Sequence, residues 1–260
     1  MLFRSLVDPW AAALAGDEGE ALARTMDGRF PPMGLWLALR VAYLDRLVAL
    51  AVDRLGARQI VILGAGYDTR AARLPRAGVT YFEVDHPATQ AEKRARLAQL
   101  DGYPVDAARY ASCDFEREDP IDRLAAAGFD AREPALVIWE GVVPYLTEDA
   151  VRATATRLAH GLDPRTLVAF DFVGKNIVEG RKLNEQDHAT RAMVADVGEP
   201  LRFGSNDILP LLAASGFRWV RVLNFDELAL EHVGDYDRSR QFRFQHIAIC
   251  SRTAPAPGWP

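Results

Sequence analysis

The stretch VILGAGYDTR at 61–70 runs from apolar residues straight into Gly64 and Gly66. After a strand, Gly64 permits a tight turn and Gly66 lets a bound group come close to the backbone. A pyrophosphate-binding loop carries a third glycine three residues on, and Thr69 stands there instead. Alone, the loop suits a dinucleotide, another nucleoside cofactor, or a plain strand-to-helix turn. Glu83 and Asp85 in YFEVDHP follow Gly66 by 17 and 19 residues. That is the distance at which nucleoside-binding α/β proteins place a carboxylate on the ribose hydroxyls. The two acids share a strand face, so either fits; Asp85, at the strand end, is the favoured one. The plainer alternative makes Asp85 the cap of a helix opening at Pro87.

Two further acids close strands. Asp114 in SCDFERED stands where it would accept from an adenine amino group, or serve as a solvated turn acid. Glu140 directly follows the apolar run ALVIW, so it belongs at the end of a central strand, where a carboxylate needs a cationic ligand or a buried donor. Three acids without a basic phosphate clamp suit a cationic, phosphate-free nucleoside better than a pyrophosphate. S-adenosylmethionine has that chemistry. Its carboxylate tail still requires a cation, which Arg40 on the preceding helical segment can supply; a solvated helix face is the alternative reading of Arg40.

These residues need a frame. Short apolar runs at 59–63, 79–84, 109–113, 135–139 and 167–172 alternate with helical patterns near 69–74, 87–100, 120–127 and 148–160. Unbroken apolar strands are covered on both faces, and the alternation predicts a doubly wound, mostly parallel α/β sheet. A helix near 207–215 precedes strands at 217–223 and 241–250. No clear amphipathic helix is expected between these two, which form an antiparallel pair at a sheet edge. Helices at about 8–24 and 33–55 precede the first strand and are placed to cap the strand ends, as a helical cap over 1–57. The polar, glycine-bearing span 173–205 is long for a plain connection and reads as an insertion or lid. With no repeat or linker, 1–260 reads as one domain.

The 260 residues are 49% hydrophobic and 26% charged, with a net charge of −5. That charge gives no electrostatic reason to expect nucleic acid or an anionic membrane surface. Cys113 and Cys250 form no CxxC pattern and suit a reducing compartment, and the five histidines show no metal-ligand spacing. Asp8 and Pro9 interrupt any signal-peptide core, and Arg40, Asp45, Arg46 and Asp53 interrupt the most hydrophobic segment, 34–55. A cytoplasmic protein is expected. No nucleophile elbow, P-loop or HExxH is present.

The segments QIVILGAGYDTRAARL, YFEVDHPATQAEKRARL and IWEGVVPYLTEDAV resemble the S-adenosylmethionine-dependent leucine carboxyl methyltransferase family, particularly its bacterial O-methyltransferase branch. The likeness runs from about Leu6 to the last strand. It implies a seven-stranded class I methyltransferase-like sheet with an antiparallel last strand. It implies that Gly64, Ala65 and Gly66 form the cofactor loop, Asp85 holds the ribose, and Asp114 and Phe115 meet the adenine. Arg40 would hold the methionine carboxylate, Glu140 would line the methionine end, and Tyr145 would face the substrate. Other substrate contacts are expected from Arg29, Phe30 and Arg202. The stretch LFRSLVDPWAAALAGDEG resembles one that bacterial relatives place further into their chains, after a helix that helps to roof the substrate.

The implied activity is O-methylation of a small molecule, leaning toward a carboxylate, which is already ionised and needs no general base. Two rivals differ from it. A nicotinamide-dependent oxidoreductase shares the loop and the second-strand acid but wants the third glycine. A non-catalytic protein that keeps the fold would bind without turnover.

Overall fold

Gln59–Leu63 forms strand β1 and Ala135–Trp139 forms β4, and every residue of both is buried. Strands lacking polar alternation must be covered on both faces, and that requirement organises the molecule. The structure, a computed structural model, describes residues 7–29, 31–115, 117–196, 200–234 and 243–256.

The remaining strands are β2 (Thr80–Asp85), β3 (Ala108–Ser112), β5 (Leu167–Val173), β6 (Trp219–Asn224) and β7 (Gln245–Ser251). They form one sheet in the order β3-β2-β1-β4-β5-β7-β6. The first five are parallel, and β7 runs antiparallel to both β5 and β6. The helices are α1 (Ala11–Arg29, interrupted at Gly16) and α2 (Pro31–Leu50, continued by a π turn over Ala51–Leu55), then α3 (Arg70–Arg73) and α4 (Pro87–Leu97). Next come α5 (Pro120–Ala126), α6 (Glu148–Gly161), α7 (Lys175–Glu179) and α8 (Glu185–Asp196). The chain ends with α9 (Leu209–Ser215) and α10 (Phe225–Val233).

Alternate residues of the central strands feed two cores. Val61, Leu63, Val137 and Trp139 pack with Val151 and Leu158 of α6. Ile60, Ile62, Leu136 and Ile138 pack with Leu39, Tyr43 and Leu47 of α2. Each such apolar side chain contributes roughly 1.5–3 kcal/mol when fully buried. Packed this way, α2 carries Arg40 to the carboxyl ends of β4 and β5, where it meets Glu140 and Asp171.

The expected strands and helices are present, with ends moved by a few residues, the ordinary uncertainty of element ends. One expectation needs correction: a helix, α10, does join β6 to β7. The stretch NFDELALEHV starts it with a capping box, in which Asn224 accepts from the Glu227 N–H and Glu227 accepts from the Asn224 N–H. Phe225 then sets its ring edge-on to Trp36 of α2 at 6.1 Å. The span 173–205, long for a plain connection, holds α7 and α8. No helix among the described residues is long and apolar enough to cross a membrane.

Candidate functional site

From β1 the chain winds outward through β2 and β3, then returns to place β4 on the other side of β1. At such a reversal a crevice opens beyond the carboxyl ends of the strands. Gly64 turns into it with φ 67°, its N–H bonded to the Val84 carbonyl at 2.7 Å. A Cβ at Gly64 would lie 2.2 Å from a Val142 methyl, so glycine is required by space as well as by φ. Gly66, φ 43°, faces open space. Its N–H donates to Asp85 Oδ2 at 2.5 Å, fixing the carboxylate at the end of β2. The Asp85 side chain also accepts from the His86 N–H at 2.7 Å. It does not cap α4: the His86 ring accepts from the Ala88 N–H at that position.

A buried ion network lies beside the loop. Arg40 donates from Nε to Glu140 Oε1 and from Nη1 to Asp171 Oδ2, both at 2.7 Å. The other Glu140 oxygen meets Arg70 Nη1 at 2.6 Å. Arg70 also pairs with Asp45 at 2.8 Å and with Asp68, and Arg73 pairs with Asp45. Asp171 Oδ1 accepts from the Gly141 N–H at 2.6 Å. Burial alone would raise the Glu140 carboxyl, but Arg70 and Arg40 outweigh it and hold it at about 2. For Asp171 burial prevails over Arg40 and the Gly141 N–H, and its carboxyl is raised. The sequence leads one to expect no basic phosphate clamp around this loop, with Arg40 as its one proposed cation; Arg70 and Arg73 in fact stand beside it. Arg40, Arg70 and Arg73 all line the crevice, yet carboxylates occupy all three.

Three cavities meet along this crevice. One of about 320 Å³ is walled by Asp85, His86, Thr89, Asp114, Phe115 and Leu146, among others. It shares Gly64 and Gly66 with a second, of about 380 Å³, which reaches Asp8, Ala65, Arg40 and Glu140. The second shares Arg40 and Gly141 with a third, of about 280 Å³, walled by Trp36, Tyr145, Asp171, Thr190, Leu201 and Phe244, among others. The track thus runs from a carboxylate and an aromatic ring, past a glycine loop and charged groups, into a largely apolar chamber.

Gly64, Ala65, Gly66, Asp85, Asp114, Phe115, Arg40, Glu140 and Tyr145 all lie on this track. Asp114 also pairs with Arg117 at 3.6 Å. Glu83, the alternative to Asp85, is excluded from the crevice: it is buried against Lys93 Nζ at 2.5 Å. Arg202 is exposed and is not on the chamber wall. Its backbone N–H does bond the Pro144 carbonyl at 2.8 Å, tying this stretch to the turn that carries Tyr145. The Arg29 side chain and Phe30 lie outside the described residues. Sequence reasoning missed Arg70, Asp171 and Asp8 as site residues. For Asp171 the available signal was a lone acid inside the otherwise apolar strand run LVAFDFV, where a buried carboxylate needs a cationic partner.

Residues 4–159 match the family model described as leucine carboxyl methyltransferase. A protein of Mycobacterium avium (strain 104), named "Putative S-adenosyl-L-methionine-dependent methyltransferase", is 32% identical over 243 residues, covering 82% of this chain and 81% of its own. A protein of the same name from Mycobacterium ulcerans (strain Agy99) is 34% identical over 198 residues, covering 74% of this chain and 65% of its own. Among solved structures, a "putative methyltransferase" from Thermobifida fusca YX superposes with a TM-score of 0.65 at 17% identity, over 93% of this chain and 92% of that one.

Proposed function

The chain belongs to the leucine carboxyl methyltransferase family and is an S-adenosylmethionine-dependent methyltransferase, and from that premise we propose that it methylates an oxygen of a small molecule, a carboxylate in particular. The observation that carries this reading is that three neighbouring cavities share walls, Gly64 and Gly66 between the first two and Arg40 and Gly141 between the next two.

The residues fit the cofactor by their donor chemistry. Asp85, its carboxylate aimed by the Gly66 N–H, takes the ribose hydroxyls. Asp114 and Phe115 share its cavity and take the adenine. Gly64, Ala65 and Gly66 let the ligand lie against the backbone. Arg40 spends Nε and Nη1 on Glu140 and Asp171, and its remaining Nη2 is the group for the methionine carboxylate. Glu140, held ionised by two arginines, keeps Arg40 in place and favours positive charge nearby.

When bound, S-adenosylmethionine supplies a methyl group on a positively charged sulfur for displacement by the acceptor oxygen. The protein's own part is alignment and exclusion of water, which together contribute up to about 7–11 kcal/mol in favourable systems. An ionised carboxylate acceptor asks for no base. Tyr145, Thr190 and Leu201 wall the acceptor chamber, so α8 and Leu201 act as its lid, and the chamber volume of about 280 Å³ suits a small acceptor. One observation favours a second reading, a hydroxyl acceptor: Asp171 lines the chamber with a raised carboxyl and can take a proton there.

The test incubates the protein with methyl-labelled cofactor and a panel of small carboxylic acids and phenols. Carboxylate methylation gives an ester whose label mild alkali releases. An alkali-stable product overturns the carboxylate reading in favour of the hydroxyl, and cofactor binding without transfer to any acceptor counts against both.

A further inference from the structure

The middle cavity, reaching Arg40 and Glu140, carries more charge than its assigned residues explain. Its described carboxylates are Asp8, Asp68 and Glu140. Glu140 lies between Arg40 and Arg70, and Asp68 accepts from both the backbone N–H and the guanidinium of Arg70. Both are therefore already paired with arginines of the protein itself. Asp8 differs. Its Oδ1 accepts from the N–H groups of Trp10 and Ala11 at 3.0 and 3.1 Å, at the start of α1. Its Oδ2 accepts from the Thr69 hydroxyl at 2.5 Å. Among the described residues no arginine or lysine pairs with it, so it is the carboxylate of this cavity whose charge is not compensated by a cation.

Three contacts hold Asp8 where it is. Thr69, which stands where a dinucleotide loop would have its third glycine, is 3% exposed and gives the loop a hydroxyl aimed at Asp8. Trp10 packs edge-on to Tyr103 with ring centroids 5.1 Å apart. Further along α1, Leu14 is buried, and its carbonyl accepts from Arg96 of α4 at 2.8 Å. The segment before α1 is thus anchored against the cofactor loop by side chains on two other elements.

We infer that Asp8 is a cofactor-binding residue that takes the ammonium group of the methionine tail, while Arg40, on the same cavity, takes the tail carboxylate. The inference rests on the placement of the methionine end in this cavity. A tail carrying one positive and one negative end needs one partner of each sign. Arg40 has an uncommitted Nη2, and Asp8 carries the uncommitted negative charge. The role is binding, since Asp8 lines the cavity that holds the tail and not the acceptor chamber.

Calorimetric titration with two probes tests it: S-adenosylmethionine, and 5′-methylthioadenosine, which keeps adenosine and sulfur but lacks the amino-acid tail. Asp8→Asn keeps the shape and the cap acceptor and removes the charge. It should weaken S-adenosylmethionine at least tenfold and leave methylthioadenosine within twofold. Thr69→Val, a second variant that keeps the carboxylate but frees it, should weaken S-adenosylmethionine about threefold with the same selectivity. An equal loss for both probes, or no loss for S-adenosylmethionine, overturns the inference. Arg40→Gln separates the two levels of failure. If it discriminates between the probes and Asp8→Asn does not, only the role of Asp8 falls. If neither discriminates, the placement of the methionine end falls with it.

Discussion

Lys93 Nζ lies 2.5 Å from Glu83 Oε2, with both residues 1% exposed, and donates on to the Asp68 carbonyl at 2.6 Å. The pair therefore joins β2, which ends at Asp85, to the loop that carries Gly64 and Gly66. Removing one partner of a buried pair costs about 3–5 kcal/mol. For Lys93→Met the loss should fall toward the lower end, because the abandoned carboxyl can protonate. Urea denaturation at neutral pH reads the loss. A variant as stable as the parent would show that the lysine is not what holds the loop to the strand.

Asp85 is the next residue to vary. Asp85→Ala should weaken S-adenosylmethionine at least tenfold in titration, since each charge-assisted hydrogen bond is worth roughly 1.5–3 kcal/mol. Its β2 neighbour Glu83 is walled off by Lys93, so Glu83→Gln should change stability far more than affinity. A folded Asp85→Ala protein with unchanged affinity would remove Asp85 from the site.

Gly64→Ala tests the loop by space. The new Cβ would meet a Val142 methyl at 2.2 Å on a backbone with φ 67°. Overpacking typically costs 1–3 kcal/mol, and the left-handed conformation adds about 1–2 kcal/mol. Val142→Ala in the same chain removes the collision but not the conformational cost, so it should restore part of the lost thermal stability and no more. Full restoration would mean that the positive φ matters little there.

How much of this was legible in the residues depends on the kind of signal. β1 and β4 were, because QIVIL and ALVIW are apolar without alternation and can lie only between two covered faces. Asp85, Asp114 and Glu140 were, because each follows a strand run and so falls on the crevice edge. Glu83 and Asp85 could not be told apart by position, since they share a face; the buried lysine that decides between them lies on α4. Asp171 sits inside LVAFDFV and Arg70 opens a short helix rich in arginine. Only the packing of α2, which brings Arg40 across to β5, shows that both belong to one network. α10 was hidden for a different reason: it is nine residues long, and its capping box was the only strong local signal. Asp8 carried no periodicity or spacing that connects it to Thr69, 61 residues away.

Glu83, fully buried, and Glu140, half-buried between its arginines, should answer pH in opposite senses. Glu83 has its carboxyl raised to about 7, because burial exceeds the pull of Lys93. The folded protein then holds a proton that the unfolded chain has released, so this group's contribution is full below about 4.5 and declines as pH rises toward 7. Glu140 is held at about 2 by its two arginines against burial. Its contribution is present above about 4.5 and is lost as pH falls toward 2, on the order of 3 kcal/mol at most. In Glu140→Gln each arginine keeps another carboxylate, Asp171 for Arg40 and Asp45 and Asp68 for Arg70, so the variant should fold. It should be less stable than the parent at pH 7, with the difference shrinking as pH falls below 4.5. In Lys93→Met the Glu83 carboxyl rises further, so stability should keep declining above pH 7 where the parent has levelled off. Denaturation midpoints measured from pH 3 to 9 give both curves, and a Glu140→Gln deficit that persists unchanged at pH 3 would show that the arginines do not hold that carboxylate ionised.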